Sequence, residues 1–70
     1  MDTNPLAGAM REAQLCREEL DIALRQHLVA ALRGDKAQIA ETRDKALTAF
    51  YAVIAANESA AIQVRKLEGR

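Results

Sequence analysis

Disulfides, metal ligands and large aromatic rings, the usual supports of a very small domain, are nearly missing from this chain of 70 residues. A single Cys16 cannot close an intrachain disulfide, and with a single His27 it makes no ligand set. Tryptophan is absent, and Phe50 and Tyr51 are the only aromatics, so the bulky fillers of a monomeric core are scarce. Half of the residues are apolar, but alanine supplies much of that half. A chain this short buries only a modest fraction of its surface on folding. With no disulfide or metal to supplement a thin core, association with another chain is the remaining source of burial.

Excess charge of one sign is also missing. Ten Lys and Arg balance ten Asp and Glu, so no long-range field draws in a phosphate backbone or an anionic membrane. Arg11, Arg25 and Arg33 could form a basic row on the first helix, but net neutrality counts against nucleic acid and leaves protein as the expected partner. The longest uncharged stretch, between Lys45 and Glu58, falls well short of the ~20 apolar residues that span a bilayer. No membrane insertion is expected. The start, Met1 to Pro5, has no basic segment followed by an apolar one, which argues for a cytoplasmic, reducing setting in which a free thiol is at ease.

Proline and glycine are rare, and their positions punctuate the chain. Asn4 before Pro5 is a helix start: the Asn side chain can accept from a free first-turn amide, and proline at the first helical position loses no hydrogen bond. Gly34 follows Arg33 where a helix needs a left-handed terminating residue. Asp35, three residues before Gln38, has the spacing of a capping box in which Gln38 reaches back. Arg65 and Lys66 suit the negative end of a second helix, with Gly69 as its stop. These signals predict an all-α chain of one domain, residues 1–70: helix one over about 5–33, a turn at 34–35 and helix two over about 36–67. So short a turn folds the two ~45 Å rods back on each other as an antiparallel, coiled-coil-like hairpin.

Two apolar patterns run along these helices. Leu6, Ala13, Leu20 and His27 recur every seven residues, interleaved with Ala9, Cys16, Ala23 and Ala30. Helix two repeats the pattern with Ile39, Ala46, Val53, Ala60 and Leu67, interleaved with Thr42, Ala49, Ala56 and Gln63. These are the a and d positions of a seam made of small residues, and they predict the intrachain contact. The larger side chains are left over. Helix one keeps Leu15, Ile22 and Val29 with Leu28 and Leu32, and helix two keeps Ala40, Leu47, Ile54 and Ala61 with Phe50 and Val64. A two-helix hairpin cannot cover both sets, so Leu15, Ile22, Leu28, Val29, Leu32, Leu47, Phe50, Ile54, Ala61 and Val64 are the candidate partner-binding residues. Self-association or a helical partner would then complete the hairpin to a bundle.

Catalysis finds little to work with. His27 lies on the seam, where folding about Gly34 sets it against the Thr42 hydroxyl, and no carboxylate or serine shares its stripe. Cys16 reads as a small packed hydrophobe, with nothing placed to lower its pKa. Arg43 and Asn57 interrupt the wider stripe of helix two and read as register-setting polar residues. Asp21 with Arg25 and Glu41 with Lys45 have i,i+4 spacing for support along solvated faces. There is no glycine-rich phosphate loop, no metal-spaced cluster and no paired carboxylate set, so no enzyme, cofactor or small-molecule substrate is expected.

The turn Leu32, Arg33, Gly34, Asp35, followed by Lys45, Ala46, Leu47 and then Val53, Ile54, resembles the small hairpin co-chaperones of type III secretion needle subunits. The resemblance spans the turn and helix two. It implies that the hairpin docks on a larger helical-repeat chaperone and that the pair keeps a needle protein from polymerising early. A self-sufficient homodimeric four-helix bundle, structural or regulatory, is the other reading of the same surface.

Overall fold

The computed structural model describes residues 4–69, which form two helices, α1 (Pro5–Arg33) and α2 (Lys36–Glu68), folded into an antiparallel hairpin. Asn4 caps α1 as its position requires, its Oδ1 accepting from the N–H of Leu6 at 3.0 Å and of Ala7 at 3.4 Å. At the other end Gly34 adopts the left-handed conformation, φ 69° and ψ 23°. Its N–H donates to the Ala31 carbonyl at 3.1 Å, and the Asp35 N–H donates to the Ala30 carbonyl at 3.4 Å. This pair of bonds is the Schellman arrangement, which occupies carbonyls that the end of a helix leaves unpaired.

Asp35 is shared by both helices. Its N–H closes α1, while its Oδ1 accepts from the Gln38 N–H at 3.2 Å and its carbonyl accepts from the Ile39 N–H at 2.8 Å, opening α2. The reciprocal half of the expected capping box is not made, because the Asp35 N–H that Gln38 would reach already belongs to Ala30. Helix α2 continues one residue past the expected limit. Gly69 ends it with an ordinary negative φ of −73°, its N–H donating to the Arg65 carbonyl at 2.9 Å.

The seam holds the residues that the heptad spacing predicts. Ala13, Ala23, Ala30, Thr42, Ala46, Val53 and Ala56 are buried, and the other seam positions are half-buried, with Leu67 the exception at 57% exposed. Leu67 lies at the open end of the hairpin, where it lines a cleft with Asn4, Pro5 and Leu6. His27 and Thr42 fix the register: His27 Nδ1 lies 3.0 Å from Thr42 Oγ1. That hydroxyl gives its one proton to the Gln38 carbonyl at 2.6 Å, with the Ile39 carbonyl at 3.3 Å, so towards His27 it can only accept. Nδ1 is then the donor in that contact.

The result is a slab one helix thick, with extents of 53 × 22 × 13 Å. Its radius of gyration is 16.0 Å, against about 11 Å for a compact domain of this length. Among the described residues no side chain is completely buried. There is no second layer among the described residues, so every large side chain off the seam meets solvent.

Four substitutions test this account by thermal unfolding at matched concentration. Gly34→Ala forces a Cβ into the left-handed region and should cost about 1 kcal/mol. Gly8→Ala meets no atom within 4 Å and should stabilise α1 by up to about 1 kcal/mol. Either change moves the midpoint of a domain this size by roughly 4–8 °C. Thr42→Val removes the acceptor for His27 Nδ1 and should cost about 1 kcal/mol, whereas Thr42→Ser, which keeps the hydroxyl, should recover most of it.

Candidate interaction surface

The exposed apolar residues do not form one face. A cleft of about 450 Å³ near the turn is lined by Val29, Gln26 and Arg33 from α1 and by Gln38 and Lys45 from α2. A second of about 420 Å³ continues along the same side past Glu19, Lys45, Thr48 and Ala52. Val29 and Lys45 therefore share one side of the slab. Ile22 and Leu15 follow Val29 at heptad steps and lie on that side as well.

Leu47 comes two residues after Lys45, about 200° further round α2, and so faces the opposite side. Ile54 and Ala61 repeat its position, and Phe50 and Val64 lie between them on the flank nearer the seam. In an antiparallel pair the same flank of each helix meets, which brings Leu28 of α1 to the Leu47 side and turns Leu32 to the back of α1 near the turn. Apart from Leu32, the candidate residues thus divide into a short ridge of Leu15, Ile22 and Val29 on α1 and, across the slab, a longer ridge of Leu47, Phe50, Ile54, Ala61 and Val64 on α2 with Leu28 beside it. All ten are exposed: Phe50 is 48% accessible and even Ile54, the least open of the large ones, is 39%.

Four exposed apolar residues lie outside those stripes: Met10, Leu24, Tyr51 and Ile62. Leu24 and Met10 occupy the α1 flank that meets the Phe50 flank of α2, a neighbourhood visible only once the two helices are paired. Tyr51 packs beside Phe50 with ring centroids 6.0 Å apart, broadening the ridge at its centre. The α2 ridge is interrupted by Arg43 and Asn57, and neither side chain hydrogen-bonds within the hairpin among the described residues.

The groups with chemical potential are placed differently. Loss of solvent, reinforced by the Glu12 and Glu19 carboxylates, holds the Cys16 thiol above its ordinary pKa, and its Sγ points to Glu12 Oε1 at 3.9 Å. The thiolate, the reactive form, is disfavoured there. Among the described residues, no group of three or more His, Cys, Asp or Glu side chains is placed to hold a metal ion. Of the arginine row, Arg25 pairs with Asp21 at 2.9 Å and lines the cleft near the turn with Arg33; Arg11 is two turns or more away along α1. Lys45, on the same cleft, reaches Glu41 at 3.5 Å. Both ion pairs are solvent-exposed, and pairs of that kind contribute little to stability. No described helix is long and apolar enough to cross a membrane. Compared with family models, curated proteins and solved structures, the chain matches none of them.

Proposed function

We propose that this chain is a non-enzymatic interaction module that binds helices through the α2 ridge of Leu47, Phe50, Ile54 and Val64. The observation that carries the reading is surface area. The hairpin exposes 5604 Å², whereas a compact folded monomer of this size exposes about 4300 Å². The difference, about 1300 Å², exceeds the ~800 Å² that each partner contributes to an interface of standard size. At ~25 cal/mol per Å² of apolar surface, covering several hundred Å² of such surface contributes many kcal/mol.

The resemblance to type III secretion co-chaperones gives one form of this reading, in which the ridge docks on a larger helical-repeat chaperone in the cytoplasm. A homodimeric four-helix bundle is the second form, and the placement of Arg43, Phe50 and Asn57 on one stripe of α2 favours it. Both forms use the same side chains.

The test is the behaviour of the purified chain over a dilution series, followed by light scattering and by helix content. Helix content should fall as association is lost, and the melting point should rise with concentration or with an added helical partner. Phe50→Asp should abolish association and leave weak residual helix, while Ser59→Asp, on an exposed polar position, should change neither. A wild-type chain that stays a single, cooperatively folded species at high dilution would overturn the proposal.

A further inference from the structure

The α2 ridge has an internal symmetry that identifies its occupant, and we infer that it is a second copy of this chain, packed antiparallel, α2 against α2, about a two-fold axis at Phe50. The inference rests on the proposed reading of that ridge as a binding surface and adds the partner and the register.

Arg43, Phe50 and Asn57 lie on one stripe, each polar residue seven positions from the ring. A two-fold axis through Phe50 exchanges positions 43 and 57. Each Arg43 guanidinium, five donors and no acceptor, then meets the side-chain carbonyl of the partner's Asn57, with the partner's Glu58 one position further on. The two residues that would otherwise spoil an apolar interface satisfy each other, twice. Parallel pairing would set Arg43 on the partner's Arg43, a like-charge contact that selects against it.

The rest of the ridge accepts the same axis. Leu47 lies three positions before Phe50 and Ile54 four after, so apolar side chains flank the ring on both sides. Leu24 and Leu28 of α1 stand on the same side near the turn and extend the contact to a four-helix arrangement. Formal net charge is zero, so two copies approach without mutual repulsion. The surplus of about 1300 Å² per chain is enough for the ~800 Å² that each member of a standard-size dimer buries. The α1 ridge on the opposite side has no aromatic and no unpartnered polar pair to set a register.

The experiment is a mixed cross-link in full-length chains carrying Cys16→Ser. One chain bears Arg43→Cys and the other Asn57→Cys; they are mixed, equilibrated and oxidised. A mixed dimer about Phe50 brings the two new thiols together at one end and keeps an intact Arg43 to Asn57 contact at the other. Either chain alone would hold its two thiols some 14 residues apart along the helix, about 21 Å, far beyond the ~7 Å that a disulfide can bridge. The mixture should form disulfide dimers at least tenfold faster than either chain alone, and light scattering of the wild type should give two chains per particle. Equal rates in a chain that still associates would overturn the register and leave the binding-surface reading standing. An assembly other than a dimer, or a dimer lost with Ile22→Asp but kept with Phe50→Asp, would overturn the occupant. A wild type that stays monomeric at every concentration would overturn the second copy, and it would remove the binding-surface reading as well if that monomer is cooperatively folded at high dilution.

Discussion

Everything in this hairpin follows from how little its two helices give each other. The seam is built from alanines, one threonine and one valine at its buried points, so the helices meet closely but bury few carbon atoms in doing so. Each buried methylene is worth ~0.8 kcal/mol, and alanine brings only a methyl. A seam of leucines would have satisfied the chain internally. This one puts its small residues at the buried points and leaves most of its leucines and isoleucines, and its phenylalanine, outside, which reverses the order of a self-contained domain.

That inversion makes the polar contacts of the seam and turn important for alignment more than for strength. Alanine faces are nearly featureless and would let one helix slide along the other. The His27 to Thr42 contact, itself anchored by the Thr42 hydroxyl on the Gln38 carbonyl, marks one position along the length. The Gly34 to Asp35 turn marks another close by. Together they pin the register near the turn, and the pairing further out follows by heptad spacing as far as the open end, where Leu67 lines a cleft with Pro5 and Leu6.

Local chemistry made the fold legible from sequence. Asn4 with Pro5, Gly34 with Asp35, and the heptad of small residues each act within a few positions, and each stands where the spacing puts it. The seam residues, the Thr42 partner of His27 and both i,i+4 ion pairs could be read the same way. The missing half of the capping box could not, because it depended on competition for the Asp35 N–H from a carbonyl of the preceding helix. The grouping of the apolar surface was only partly legible. Each stripe was visible on its own helix, but whether Leu15, Ile22 and Val29 share a side with Phe50 is settled by how the helices pair, not by either periodicity alone. Leu24 is invisible to periodicity for the same reason: its importance comes from the neighbour that α2 supplies.

The two-residue turn also acts as a phase coupling. Because Asp35 terminates one helix and initiates the next, no slack separates the last turn of α1 from the first turn of α2, and the azimuth of every α2 side chain is referred to a fixed origin. One inserted residue there would advance α2 by about 100°. Either Thr42 would leave His27 or the shared cap would open, and the compass direction in which Phe50 points would be lost with it. The bearing of the α2 ridge is thus decided at the tightest bend of the chain.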